Sequence, residues 1–453
     1  MVPDSSLPDV SLPDPSSWSR RRFLAALCGL GAGGTVAVGA TAPTALPDAL
    51  TDEATKHYPT PPEVAAHWEP TVTEAHARSV IERLADVAAS AEALWPEVET
   101  DRHNTGAGGW LETAREELED GNYNDALFDA TYGLQFAAEE LGFARARLDQ
   151  TDVPALADRT LAVRDRIAAV RDALDPYNVD DPGVDLAWYH RIETETLRAE
   201  NHAGWGDAAA AANGVDDDDG PPAGDLDAHA VGSLTADVHL AEVCASNAER
   251  YSQHLQDRLG DDPTPYAAHL ERVADAFRTT LADRPSRDDV RARYGLDDAD
   301  EHGPYEFAHA HLARSCFDAA IPVPWETDVD ASMHATTTLA LATAIVDWRA
   351  HDFAVDHLVV DQSTTGFDSG HVLAEKRRAR STYQDALGDS PPPFLAQQAG
   401  RAIEDLQVAK VGFADSYRDP IWKERLNAYL YALLGRAKLH HHPRLYQRIV
   451  DGP

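Results

Sequence analysis

Pairs of histidine and carboxylate residues one helical turn apart are the features of this sequence most able to do chemistry. His190 precedes Glu193 by three residues, and Glu306 precedes His309 by the same spacing. On a helix such residues share a face, so both side chains can reach one zinc or iron ion. The spacing therefore predicts a metal site or a proton-transfer site at these positions.

Asp347 and His351 form a further pair, four residues apart on the most apolar helical segment of the chain. A carboxylate is costly to bury unless it is paired, and His351 is the partner that the spacing offers. The hypothesis is that Glu306, His309, Asp347 and His351 converge on one metal or proton-transfer site. The alternative, which the sequence favours, is that each is a core or rim residue satisfied by its neighbours.

The frequency of such pairs gives little support to a metal site. The chain contains 20 histidines, and about one His-x-x-Glu pair is expected by chance in this composition. Two occur, at His190 and His239. The sequence contains no Gly-rich phosphate loop, nucleophile elbow, Cys-x-x-Cys or His-Glu-x-x-His motif. It favours a non-catalytic protein without a cofactor, and the alternative is a protein that binds a transition metal such as zinc or iron.

The N-terminal region carries a basic hexapeptide followed by the uncharged residues 25–42, which are rich in Ala and Gly. This order of charged, apolar and small residues is typical of a signal peptide. The hexapeptide resembles the twin-arginine signal, and the residues that match it are Ser19, Arg20, Arg21, Phe23 and Leu24. The resemblance implies a signal over residues 1–42 and export of the folded chain by the twin-arginine translocation machinery. An uncleaved signal of about 19 apolar residues would leave the protein anchored in the membrane.

The charge balance is more informative about the salt concentration in which the protein folds than about a binding partner. Asp and Glu outnumber Lys and Arg by 77 to 39, and only five of the bases are lysine. This balance resembles that of proteins from extreme halophiles, in which dense cations screen the self-repulsion. No basic patch is visible, which argues against nucleic-acid binding. Since the chain is 43% hydrophobic, it has enough apolar residues for a folded core.

Apolar residues recur three and four positions apart along most of the chain, as in Val80, Leu84, Val87 and Ala91. This spacing is typical of amphipathic helices, and no convincing alternating pattern indicates a sheet. We therefore predict an all-α fold, either two helical bundles or one stacked helical array. The predicted segments are a Pro/Thr-rich extended spacer (43–71), an N-terminal bundle (72–212), an acidic Gly/Pro linker or loop (213–227) and a C-terminal bundle (228–453).

Two short segments resemble known families. Residues 107–140, with Trp110, Ala114 and the Gly121-Asn122-Tyr123 turn, resemble one tetratricopeptide unit. Neighbouring segments do not repeat the pattern, so one helical hairpin within a bundle is favoured over an array. His190 and Glu193 resemble the His-x-x-Glu motif of imelysin-like proteins, and that resemblance implies an exported helical protein tied to iron uptake.

The leading functional hypothesis is an exported scaffold of the cell envelope that binds a protein or a small ligand between its helices. The second hypothesis is a metal-binding helical bundle that uses the histidine and carboxylate pairs. Cys244 and Cys316 follow the predicted signal. An exported protein could join them in a disulfide, but two buried thiols are favoured because both cysteines lie on or beside apolar helical faces.

Overall fold

The fold consists of α-helices with one minimal pair of strands. The computed structural model describes residues 43–62, 68–98, 106–204, 227–296, 303–317, 333–411 and 420–451. Within these ranges the only strands are β1 (Asn178–Val179) and β2 (Thr264–Pro265), which pair antiparallel. The predicted all-α class, without a significant β-sheet, is confirmed.

Six helices of the N-terminal half pack into a bundle. They are α2 (Glu74–Leu94), α3 (Ala107–Asp120), α4 (Tyr123–Arg147), α5 (Val153–Leu174), α6 (Pro182–Gly204) and α7 (Ala228–Arg258). The buried residues of α2 follow the predicted spacing of three and four, and α2 ends at Leu94, before Pro96. Helix α7 packs against α4, α5 and α6. The helix that follows the predicted acidic linker therefore lies among the N-terminal helices.

Helices α3 and α4 form the hairpin that the Gly-Asn-Tyr turn predicted. Gly121 ends α3 in the left-handed conformation, with φ of 81°. Glycine adopts this conformation without the steric cost that a Cβ imposes. Ala114, Ala126 and Ala130 are fully buried between the helices, where small side chains allow a close approach.

In the described part of the C-terminal half there are eight helices. They are α8 (Ala267–Leu281), α9 (Arg287–Arg293), α10 (Pro304–Phe317), α11 (His334–His357), α12 (Ser369–Leu387), α13 (Pro393–Gln398), α14 (Gly400–Val411) and α15 (Ile421–Val450). Helix α11 corresponds to the predicted apolar helix and packs against α8, α10 and α15. Helix α15 also packs against α12 and α14. The two helices α11 and α15 therefore hold the other helices of this half together.

The two halves share one hydrophobic core, to which Tyr251 contributes from α7, Leu339 from α11 and Tyr446 from α15. Helix α6 packs against both α11 and α13. The pairing of β1 with β2 joins the loop before α6 to the loop after α7. Helix α6 thus lies at the junction between the halves.

The structure differs from the extended spacer predicted for residues 43–71, because residues Asp48–His57 form a helix, α1. Helix α1 packs against α12, and Arg425 on α15 contacts Asp48 at 2.6 Å and Asp52 at 2.8 Å. The Nζ of Lys376 on α12 donates a hydrogen bond to the carbonyl oxygen of Thr55 at 3.2 Å. These contacts stabilise a helix that the proline content of the segment argues against.

The predicted signal, including Ser19, Arg20, Arg21, Phe23 and Leu24, lies outside the described residues, as does nearly all of the predicted linker 213–227. None of the helices in the described ranges combines the length and the apolar character that a membrane span requires. Cys244 and Cys316 are both buried, free thiols, which is the state that the sequence favoured.

Candidate ligand-binding cavity

A cavity of about 380 Å³ lies in the N-terminal bundle, in the size range of small-molecule sites. Arg191, Glu195 and Arg198 line it from α6 at spacings of four and three, which place all three on one helical face. Helix α7 contributes the residues Cys244, Asn247 and Tyr251, spaced in a similar way. The segment before α2, the first turns of α4 and Gln397 of α13 complete the wall. We call this space the N-terminal cavity.

The carboxylate of Glu195 has no exposed surface, yet it lies among polar partners. Arg191 is 2.9 Å from its Oε1, and Arg198 is 3.4 Å from the same oxygen. Asn247 Nδ2 donates to Oε2 at 3.2 Å. Burying an ionised carboxylate costs several kcal/mol unless charge and hydrogen bonds compensate. The two guanidinium groups and the amide supply that compensation.

His76 fixes the orientation of the Asn247 amide. Its Nε2 lies 2.7 Å from Asn247 Oδ1, which can only accept, so the imidazole must donate. Burial lowers the pKa of His76 to about 4, and the bond to Asn247 offsets only part of that effect. At neutral pH the ring is therefore uncharged with its proton on Nε2. The bonds form one relay from His76 through Asn247 to Glu195.

Three buried polar atoms of the residues that line the cavity make no hydrogen bond to any described residue. They are the hydroxyl of Tyr251, a residue with no exposed surface, Nε of Arg191 and Oε1 of Gln397. The Arg191 guanidinium lies over the Tyr251 ring, 5.7 Å from its centroid. Burial raises the pKa of Tyr251 against the opposing charge of Arg191, so the hydroxyl keeps its proton. A buried polar group without a partner costs about 1–3 kcal/mol, and a polar molecule bound beside these atoms would supply the missing partners.

The exposed part of the cavity lining, which we call the mouth, differs in chemistry from the buried part, which we call the floor. Phe128 is 66% exposed although it is aromatic. Trp68 also lines the cavity and meets the buried Trp188 edge to face, with ring centroids 5.5 Å apart. Glu69 and Asp125 line the cavity as exposed acids. Glu69 accepts a hydrogen bond from Asn124 at 2.9 Å.

The structure brings together part of the predicted group around Asp347 and His351. Tyr294 stacks on His309 with centroids 3.9 Å apart and lies 6.4 Å from His351. Burial and the nearby His351 lower the pKa of His309 to about 4, against the opposing charge of Glu306. Nδ1 of His309 and Nε2 of His351 have no hydrogen-bond partner among the described residues. Both imidazoles therefore lie near the ring of Tyr294.

Asp347 has different partners from the one that the sequence offered. Its carboxylate lies 3.5 Å from Lys438 and 3.4 Å from Arg401, whereas His351 contacts Asp352 at 3.3 Å. The pairing of Asp347 with His351 is therefore wrong, because cations from α14 and α15 reach the carboxylate instead. In the parts of the chain that the structure describes, no group of three or more His, Cys, Asp or Glu side chains could hold a metal ion.

His190 and Glu193 lie one turn apart on α6 but have separate surroundings. Glu193 accepts hydrogen bonds from the backbone N–H groups of Ala335 and Thr336, in the first turn of α11, and from the Tyr177 hydroxyl. A carboxylate at this position compensates the partial positive charge of a helix N-terminus. Burial and the adjacent Arg191 lower the pKa of His190 to about 4. Glu193 is therefore engaged in joining α6 to α11.

The second His-x-x-Glu pair, His239 and Glu242, is engaged by arginines. Arg83 donates to His239 Nδ1 at 3.0 Å and also contacts Glu242. Arg159 Nε lies 2.8 Å from Glu242 Oε1. Burial opposes ionisation of Glu242, but the two guanidinium groups outweigh it and lower its pKa to about 2. This pair forms an ionic link between α2, α5 and α7.

Sequence reasoning missed the residues of the N-terminal cavity. The Arg-Glu-Arg spacing of Arg191, Glu195 and Arg198 was visible, but such triplets are common on solvated helices. The stronger signal was Asn247, a polar residue among the apolar positions of α7. Neither signal shows that the two faces meet around one cavity.

The fold and the cavity define a class, that of helical proteins with a polar cavity between amphipathic helices. More particularly, residues 75–262 match the family described as Domain of unknown function (DUF8262), and residues 265–451 match Domain of unknown function (DUF8264). The boundary between the two matches falls at β2, after α7. No curated protein and no solved structure matches the chain.

Proposed function

We propose that this chain is an exported, salt-adapted helical protein that binds a small polar molecule in the N-terminal cavity. One observation carries the proposal. The hydroxyl of Tyr251, Nε of Arg191 and Oε1 of Gln397 lack partners among the described residues, and all three residues line a cavity of about 380 Å³. Native proteins satisfy nearly all of their buried polar groups. Three such atoms beside one cavity therefore support a ligand that supplies the missing hydrogen bonds.

The chemistry of the cavity supports binding over catalysis. Among the described residues, Cys244 is the one thiol on its wall, and burial followed by the charge of Glu195 raises its pKa to about 12. A thiol is a nucleophile only as the thiolate, which is scarce at neutral pH with such a pKa. Glu195 is held by two arginines and an amide. Neither side chain is free to begin a reaction.

Export is the second part of the proposal and rests on the sequence of the N-terminal region. The Arg20 and Arg21 pair, in its twin-arginine context, would direct the folded chain to the translocation machinery. The acidic composition supports a protein that folds in concentrated salt before it is exported. A reporter fused behind residues 1–42 should leave the cytosol, and the R20K/R21K variant should retain it. Export of that variant would contradict the assignment.

Metal binding is the second candidate function, and the pair of His309 and His351 favours it. Each imidazole has a nitrogen without a hydrogen-bond partner in the described ranges, and both lie beside Tyr294. Neutral imidazole is a common ligand of zinc. Calorimetric titration of the metal-free chain with zinc tests this candidate. Stoichiometric binding that the H309F variant loses would support it, and the absence of binding would exclude zinc at this pair.

Equilibrium dialysis of the full chain in molar salt tests the ligand-binding proposal. The dialysis mixture contains amino acids, organic acids, sugars and amines, and mass spectrometry measures enrichment in the protein chamber. We expect one class to be enriched by the wild type and lost in R191M. The matched control is R78M, which removes an arginine of α2 whose side chain is 54% exposed. Equal enrichment by R191M and R78M, or no enrichment at all, would overturn the proposal.

A further inference from the structure

The N-terminal cavity has opposite charge character at its floor and its mouth. At the floor, the Arg191 Nε–H and the Tyr251 hydroxyl are donors without partners among the described residues, and Gln397 Oε1 is an acceptor without one. At the mouth, the exposed acids Glu69 and Asp125 line the same cavity as the aromatic rings of Trp68 and Phe128. Donors attract an acceptor such as a carboxylate. Acids and aromatic faces together attract a cation.

A ligand that carries only a negative or only a positive charge would interact unfavourably with part of the cavity. A simple anion would satisfy Arg191 and Tyr251 but would sit near the carboxylates of Glu69, Asp125 and Glu195. A simple cation would suit the mouth but could not accept a hydrogen bond from the donors at the floor. The observed distribution of groups therefore favours a ligand that carries both charges.

We propose, on the basis of the proposed ligand-binding function, that the ligand of the N-terminal cavity is a small zwitterion of the amino-acid type. Its carboxylate accepts hydrogen bonds from Arg191 and Tyr251 at the floor. Its ammonium group lies at the mouth, near Glu69 and Asp125 and against an aromatic ring. The cavity volume of about 380 Å³ leaves room for an apolar side chain.

Glu195 sets the polarity of the floor. Its carboxylate neutralises one of the two guanidinium charges, from Arg191 at 2.9 Å and Arg198 at 3.4 Å. The three side chains therefore carry one net unit of positive charge, which matches one ligand carboxylate. A ligand with two negative charges, such as a dicarboxylate or a phosphate, would exceed that charge beside the buried carboxylate of Glu195.

The test is calorimetric titration of the full chain with each of the twenty standard amino acids. The tightest binder is then compared with its carboxamide, which lacks the carboxylate, and with its deaminated acid, which lacks the ammonium group. We expect both analogues to bind about tenfold or more weakly than the amino acid. Equal binding of the deaminated acid, or no binding of any amino acid, would overturn the proposal.

Variants at the mouth test the position of the ammonium group. The E69Q/D125N double variant should bind the amino acid about tenfold more weakly and the deaminated acid at least as tightly as the wild type. The matched control is E116Q, on the exposed surface of α3 and away from the lining of the cavity. Equal weakening of both ligands, or no weakening of either, would contradict this placement.

The failure of this proposal can be distinguished from failure of the ligand-binding function. If the dialysis experiment enriches a sugar, an amine or an organic acid in an Arg191-dependent way, the cavity binds ligands but the zwitterion is wrong. If it enriches no class, both proposals fail. Titrations at two salt concentrations add a further check, because screening should weaken the contribution of the exposed Glu69 and Asp125 more than that of Tyr251.

Discussion

Arg191 and Glu195 lie one turn apart on α6, with 2.9 Å between guanidinium and carboxylate, and Glu195 has no exposed surface. Such a pair is weak evidence for net stability, because desolvation opposes the attraction between the charges. Removing one partner is costly, because the other charge then stays buried without compensation. The floor of the cavity is polar because Arg191, Arg198 and Asn247 hold the buried carboxylate of Glu195 there.

We predict that E195Q lowers the free energy of unfolding by about 2–3 kcal/mol, because it leaves Arg191 and Arg198 without a carboxylate. The new amide has one acceptor oxygen, so its NH2 group must face either the arginines or Asn247 Nδ2, which are themselves donors. Chemical denaturation in molar salt measures the effect. E74Q is the control, since Glu74 belongs to an exposed pair with Arg78 and should cost less than about 1 kcal/mol. Equal stability of the two variants would contradict the prediction.

The burial of His76 predicts a loss of stability in acid. The pKa of His76 is about 4 in the folded chain against 6.5 for a free histidine. The unfolded chain therefore binds more protons between these values, and stability falls as the pH drops from about 6.5 to about 4. The loss from this group reaches up to about 3 kcal/mol.

The H76Q variant tests this origin of the pH dependence, because Gln keeps a donor for Asn247 but does not titrate in that range. Denaturation at pH values between 7 and 4 should show a shallower loss in H76Q than in the wild type. Parallel stability curves for the two proteins would show that His76 is not the group responsible.

The hydrogen bonds that Glu193 accepts predict that the first turn of α11 depends on its contact with α6. We expect E193A to destabilise the chain by about 2 kcal/mol, because two backbone N–H groups of α11 and the Tyr177 hydroxyl lose their acceptor. E193Q keeps one carbonyl oxygen and should cost less. Hydrogen exchange at Ala335 and Thr336 measures the local effect. Unchanged exchange at these amides in E193A would refute the role of Glu193 as a cap.

The contacts of Arg425 with Asp48 and Asp52 predict that α1 depends on α15. The Arg425 side chain is 9% exposed, and the two acids lie 2.6 Å and 2.8 Å from it. We expect R425M to cost about 1–2 kcal/mol and to raise hydrogen exchange throughout residues 48–57. R425K keeps the charge without the two-pronged geometry and should be intermediate. Unaltered exchange in α1 would show that other contacts hold it.

The helices could be predicted from sequence more readily than the cavity. The spacing of Val80, Leu84 and Val87 is local and predicts α2 directly, because burial of one helical face requires it. Helix α1 escaped prediction because its stability comes from Arg425 and Lys376, more than 300 residues away. The proline content of the segment suggested an extended chain, and no local pattern reveals the distant contacts that stabilise the helix.

Side-chain partners were the least predictable feature. The helical spacing correctly placed Asp347 one turn from His351, but Lys438 and Arg401 decide where the carboxylate binds. The N-terminal cavity is likewise assembled from α4, α6, α7 and α13, whose faces meet only in the fold. Sequence spacing predicts which face of each helix is buried. It does not predict which other helix packs against that face.

The Y251F variant tests the central claim most directly. It removes only the buried hydroxyl that has no partner among the described residues. The free energy of unfolding in the absence of ligand should therefore be unchanged or slightly higher. If that hydroxyl binds a ligand, calorimetry should show about tenfold weaker binding of the molecule enriched in dialysis. Wild-type affinity in Y251F would contradict the assignment of this cavity as the ligand site.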